Sequence, residues 1–189
     1  MKKMLLINGS PRNIGASAEM LKIIAEKGES YGYECERVDL SKLNISHCIG
    51  CLACKGTKEC GLDDDMRPLY KKFQDADAFV ISVPIYFGAE TGLLKNFIDR
   101  LYALMDRNED GSWTVRSGNV KKGIVAVNCA APDGNMIYHG AMTHLVIVLK
   151  MLGITDVSSG IVPRATASSI RNSPFTNDLL NAMDFQMSS

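Results

Sequence analysis

"MLLINGSPRNIGASAEMLKIIAEKG", residues 4–28, reads as a strand, a turn and a helix in direct succession. The run from Met4 to Ile7 is apolar without alternation, which suits a strand buried on both faces, as in a parallel sheet. Beyond the turn, Met20, Leu21, Ile23, Ile24 and Ala25 recur at helical spacing, and Gly28 marks the stop. A buried strand feeding a helix is the opening of a βαβ unit.

The pattern continues outward. "YECERVDL", residues 33–40, alternates as a second strand. "MRPLYKKFQDA" predicts a helix from Met66, capped by an Asp among 63–65, with Pro68 tolerated in the first turn. "AFVISVPIYFG", residues 78–88, is a third buried strand running into a Pro-containing turn. An amphipathic helix follows over 92–105, then a polar Gly-containing loop over 107–119. "KGIVAVNCA", residues 122–130, is a fourth strand, and a long helix over 135–153 stops at Gly153. "DVSSGIVP" is a short fifth strand, and the polar tail from 165 holds one last helix near 176–184. Five strands alternating with helices predict a three-layer αβα fold around a doubly wound five-stranded parallel sheet. Its expected strand order is 2-1-3-4-5, the flavodoxin-like one. The expected organisation is one domain over 1–189, with a cysteine-rich insertion at 47–65.

Lys plus Arg equals Asp plus Glu at 21 each, so no basic excess points to nucleic acid. No apolar run reaches the roughly 18 residues of a membrane span. The four apolar residues of "MLLI" are too few for a signal peptide's core, so a cytoplasmic location with reduced thiols is expected.

Such a sheet binds ligands outside the carboxyl ends of its strands, at the switch point between strands 1 and 3. Two turns therefore matter most. "NGSPRNIGAS", residues 8–17, supplies hydroxyls at Ser10 and Ser17, the Arg12 guanidinium, Gly15 and a helix start. A phosphate there meets backbone N–H groups and a positive helix end. The pattern is neither G-x-G-x-x-G nor a P-loop. "SVPIYFGAETG", residues 82–92, offers Pro84, Ile85, Tyr86, Phe87 and Gly88 as walls and close approach for a flat heterocycle. A third turn, "NCAAPDGN" over 128–135, is small enough to pass close to such a ring.

"HCIGCLACKGTKECGLDDDM", residues 47–66, spaces four thiols as Cys48-x2-Cys51-x2-Cys54-x5-Cys60. Zinc sites usually separate two C-x2-C pairs by more residues, whereas iron–sulfur clusters accept compact runs. A [4Fe-4S] cradle, cluster-free thiols or a disulfide, and a zinc site all remain open on spacing alone. Cys35 and Cys129 lie in or at strands and read as structural. His139 and His144 read as surface or interface residues, and Trp113 as a loop anchor.

"GSPR" with "GAS", then "VPIYFG" and "LLKNFIDR", resembles the NADPH-dependent FMN reductases of the flavodoxin-like superfamily. The cysteine run followed by "DDM" resembles the iron–sulfur flavoproteins within that group. The resemblance covers roughly residues 4–135. It implies that Ser10, Arg12 and Ser17 hold the FMN phosphate and that Pro84, Ile85, Tyr86, Phe87 and Gly88 line the isoalloxazine. Ala131, Gly134 and Asn135 would lie in a third flavin-contacting loop. It also implies electrons from NAD(P)H or a ferredoxin, a [4Fe-4S] cluster on the four cysteines, and a homodimer or tetramer. Rival expectations are a non-enzymatic electron carrier and a redox-sensing thiol module.

Overall fold

In chain order, the computed structural model contains β1 (Lys2–Asn8), α1 (Ala16–Ser30), β2 (Tyr33–Asp39), α2 (Ala53–Gly56) and α3 (Met66–Asp75). These are followed by β3 (Ala78–Pro84), α4 (Gly92–Arg100), β4 (Met105–Arg107) and β5 (Trp113–Val115). The chain ends with β6 (Lys122–Asn128), α5 (Met136–Met151), β7 (Asp156–Val162) and α6 (Pro174–Ser188). The structure describes residues 1–132 and 136–188.

Burial assigns each strand its place. β3 and β6 are buried along almost their whole length, and β1 from Met4 onward. Continuous apolar strands can sit only between two covering layers. β2 and β7 are broken by exposed positions and form the edges. The sheet is parallel throughout, in the order β2-β1-β3-β6-β7. This is the expected 2-1-3-4-5 order, with two short extra strands intervening in sequence.

Alternate residues along each strand feed two cores. Leu5, Ile7, Phe79, Ile81, Val83, Val125 and Val127 pack with Phe73 of α3, Phe97 of α4 and Leu145 and Leu149 of α5. On the opposite face, Met4, Leu6, Val80, Ile124 and Ala126 pack with Met20, Leu21 and Ile24 of α1 and Leu179 and Met183 of α6. No helix among the described residues is long and apolar enough to cross a membrane.

Two elements depart from expectation. The segment over 107–119, expected as loop, carries a small antiparallel hairpin: Met105 to Arg107 pairs with Val115 to Trp113. Strands of three residues are too short to show a period. Their turn is held by the Asn108 N–H donating to Ser112 O at 2.9 Å, with Gly111 at φ 84°. The helix expected over 92–105 ends at Arg100 and tightens into a 3-10 turn over Leu101–Leu104. There the Lys55 ammonium reaches the carbonyl oxygens of Tyr102, at 2.6 Å, and Met105, binding the cysteine segment to this turn.

Candidate cofactor site

The first turn is shaped from inside by Asn8, which is fully buried at the end of β1. Its Oδ1 accepts from Ser10 N at 3.1 Å, while its Nδ2 donates to Asp39 Oδ1 at 2.8 Å and Arg12 O at 3.3 Å. Asp39 is further held by Arg37, at 2.6 Å. Burial alone would push the Asp39 carboxyl up. Hydrogen bonds from Asn8, Arg37 and Lys42 outweigh that and hold it below the ordinary range. Ser10 Oγ accepts from Arg12 N at 3.1 Å. The turn then delivers the chain to the N-terminus of α1, where Ser17 is buried and its Oγ accepts from Asn128 Nδ2 at 2.8 Å.

The second turn is bound to the first. Gly9 N donates to Ser82 O at 2.9 Å, and a side chain at Gly9 would press within 3.1 Å of Val83 and Leu94. Glycine suits this close approach, since a Cβ would force its neighbours to give by a few tenths of an ångström. Thr91 caps α4, its Oγ1 accepting from Leu94 N at 3.2 Å and donating to Gly9 O at 2.6 Å. Between them, Tyr86 and Ala89 pair as a two-residue hairpin whose tip, Phe87 and Gly88, lies at φ 51° and 82°. Both tip residues are left-handed, as a type I′ turn demands, and Gly88 adopts that region freely.

Together the turns enclose a cleft of about 520 Å³ at the carboxyl edge of the sheet. Ser10, Arg12, Gly15, Ser17, Pro84, Ile85 and Tyr86 all line it, so seven of the expected residues converge. Phe87 projects fully exposed from the hairpin tip rather than lining the cleft. Ala131 turns its carbonyl oxygen to Arg164 N at 3.1 Å. Gly134 and Asn135 lie outside the described residues. Further lining comes from Asn128, Cys129 and Ala130 at the end of β6, and from Ala165, Thr166 and Ala167 after β7. The former begin the third turn, over 128–135, that the sequence already singled out. The latter sit in an aperiodic polar tail that carries no such signal.

The cysteine segment leaves and re-enters the fold through one closed base. Asp65 N donates to Asn44 O at 3.3 Å and Asn44 N to Asp65 Oδ2 at 2.7 Å. Asp64 accepts from Ser46 N at 3.0 Å, caps α3 through Met66 N at 3.1 Å, and pairs with Arg100 at 2.6 Å. Arg100 is only 1% exposed, and its Nε finds no hydrogen-bond partner among the described residues. Cys48 and Cys51 are exposed, Cys54 is buried in α2 and Cys60 is half-buried; all are free thiols. Burial opposes ionisation of Cys60, but the Leu62 N–H, Tyr70 and Arg100 lower its pKa overall. Among the described residues no three metal-binding side chains gather. The donor chemistry suits a cluster, and a closed ligand set requires the segment to rearrange. Outside the segment, Cys35 has its pKa pushed up to about 11, chiefly by burial. Trp113 packs on Tyr102, ring centroids 5.8 Å apart, under the Lys55 cation; it anchors the hairpin.

A family model described as NADPH-dependent FMN reductase matches residues 2–168. An iron–sulfur flavoprotein of Archaeoglobus fulgidus is 46% identical over 99 residues, 52% of this chain and 48% of the relative. The chain spans about half the length of the iron–sulfur flavoproteins it matches. An NADPH azoreductase of Bacillus sp. is 27% identical over 158 residues, 84% of this chain and 82% of the relative. Among solved structures, an NAD(P)H:quinone oxidoreductase from Methanothermobacter marburgensis superposes with a TM-score of 0.73 at 16% identity. That alignment covers 96% of this chain and 95% of the other, and shows a shared fold.

Proposed function

The chain belongs to the NADPH-dependent FMN reductase family, and from that premise we propose that it is an FMN-dependent oxidoreductase fed by NAD(P)H. The observation that carries this reading is the cleft at the β1/β3 switch point, which unites Ser10, Arg12 and Ser17 with Pro84, Ile85 and Tyr86. Its size falls within the range of cofactor clefts. Bound FMN supplies the hydride and single-electron chemistry. The chain's own part is to bind and orient. Ser10, Arg12, Ser17 and the α1 N-terminus offer donors to a phosphate. Pro84 to Tyr86 offer a wall to a flat ring, with Phe87 and Gly88 at its rim.

We extend the proposal to the cysteine segment. Cys48, Cys51, Cys54 and Cys60 would hold a [4Fe-4S] cluster, which would supply one-electron chemistry to complement a two-electron flavin. The support is fourfold thiol chemistry in one short segment, relatives named for both cofactors, and a buried guanidinium beside it with Nε to spare. Electrons leave to a small acceptor such as a quinone or free flavin, or to a partner protein. A reducing cytoplasm and a homodimer or larger assembly complete the reading.

The test is anaerobic purification, identification of the released flavin, and reconstitution with iron and sulfide. FMN, about four irons per chain with broad absorbance near 400 nm, and oxidation of NADH or NADPH are expected. Released FAD, or no flavin uptake at all, overturns the FMN assignment. No iron uptake reduces the segment to a thiol element. Loading of both cofactors without nicotinamide oxidation favours the electron carrier, with ferredoxin as donor.

A further inference from the structure

A hydroxyl can donate or accept, and what it offers a ligand depends on what its protein neighbours leave free. Ser17 lines the cleft from the first turn of α1 and is 3% exposed. Its Oγ lies 2.8 Å from Nδ2 of Asn128, which ends β6 and is itself buried. The same Nδ2 lies 3.3 Å from the carbonyl oxygen of Val83. A carbonyl oxygen only accepts, so this second contact sets which end of the amide faces Ser17. The two hydrogens of Nδ2 serve the two contacts. Ser17 Oγ is thereby committed as an acceptor toward Asn128, and its single hydrogen is left for another partner. In the same turn, Ser10 shows the same logic: its Oγ accepts from Arg12 N at 3.1 Å, leaving its hydrogen free.

We propose that Asn128 is a positioning residue that commits Ser17 to donate into the cleft, and so fits the site to a phosphate monoester rather than an uncharged ligand end. The proposal rests on the reading that the FMN phosphate lies at the first turn. A phosphate carries only acceptor oxygens once it has lost its protons, so a hydroxyl that already points its hydrogen outward needs no reorganisation on binding. An amide serves better than a carboxylate for this task. An Asp at position 128 would take the Ser17 hydrogen for itself and set a like charge near the dianion. No feature of the sequence around Asn128 announces this role, because Ser17 lies 111 residues away and meets it only through the β1-β3-β6 arrangement.

The experiment measures dissociation constants for FMN and for riboflavin, which lacks the phosphate. The proteins are wild type, Asn128→Ala, Asn128→Asp, Ser17→Ala and the Asn128→Ala/Ser17→Ala double variant. Charge-assisted hydrogen bonds are strong enough that Asn128→Ala should weaken FMN roughly tenfold. Asn128→Asp should weaken it further, and riboflavin affinity should change little in either. In the Ser17→Ala background the Asn128→Ala substitution should cost almost nothing, because the hydroxyl it positions is gone. Additive losses in the double variant, or equal losses for FMN and riboflavin, overturn the proposal. A wild type that binds FMN and riboflavin equally removes the phosphate reading, and this inference falls with it.

Discussion

Arg12 stands exposed at the mouth of the cleft, and among the described residues its guanidinium has no carboxylate partner. A cation so placed beside two hydroxyls and a helix N-terminus is available to an incoming anion. Arg12→Ala should weaken FMN binding by about 1.5–3 kcal/mol, the range for hydrogen bonds to charged groups. Riboflavin binding should be nearly unchanged. Isothermal titration with both ligands checks this, and undiminished FMN affinity in the variant refutes the role. Single residues of this kind were legible in the sequence because the parallel-sheet rule pointed at two turns, and chemistry-bearing residues were crowded there. Asn8 and Asn128 were not. Their functions are contacts to Ser10, Arg12 and Ser17, and an asparagine ending an apolar strand looks the same whether or not it orients a neighbour.

At the scale of elements, the cysteine segment is tied down by one buried ion pair. Arg100 at the end of α4 donates to both oxygens of Asp64, at 2.6 and 3.0 Å, and to Ser46 O at 3.0 Å, so it grips the base of the segment on both sides. Burial raises the Asp64 carboxyl, but the Arg100 side chain and the N–H groups of Ser46 and Met66 outweigh it and hold it below the ordinary range. The unfolded chain therefore takes up this proton first as pH falls. Between the ordinary value of about 3.9 and the depressed folded one, the unfolded state binds more protons, so stability drops with pH. Above about pH 5 this group contributes no slope. Asp64→Asn should abolish its share of the acid slope. It should also cost about 3–5 kcal/mol at neutral pH, by leaving Arg100 buried and unpaired. Urea unfolding from pH 3 to 7 checks both, and parallel pH profiles for the two proteins would discount the pair. The sequence places Arg100 on an amphipathic helix, where an arginine suggests a solvated face. Only the tertiary approach of 64 to 100 shows it buried. The β4-β5 hairpin escaped for a related reason: three-residue strands carry no period, and their stability comes from Lys55, Tyr102 and Trp113 meeting across the fold. The long β1, β3 and β6 were legible because burial on both faces imposes continuous apolar runs.

For the whole molecule, the open question is what covers the rim of the cleft. Phe87 is fully exposed at a left-handed φ of 51°, a region that costs a bulky residue energy. Tyr86 beside it is 47% exposed. An aromatic held strained and exposed at a ligand rim is poorly explained by a lone chain, since such apolar patches mark interfaces. The chain is expected to associate at least as a homodimer through this rim, with Phe87 buried against the partner. Sedimentation velocity at micromolar concentration should give at least twice the mass of one chain, and Phe87→Ser should shift the population toward monomer. The mass of a single chain for wild type would refute the assembly. If the partner also closes the cleft, assembly and flavin binding are linked by mass action. FMN affinity should then fall on dilution through the dimer dissociation range, and added FMN should shift the sedimentation equilibrium back toward dimer. Flavin affinity independent of protein concentration would mean that the rim contact, even if real, lies clear of the cofactor.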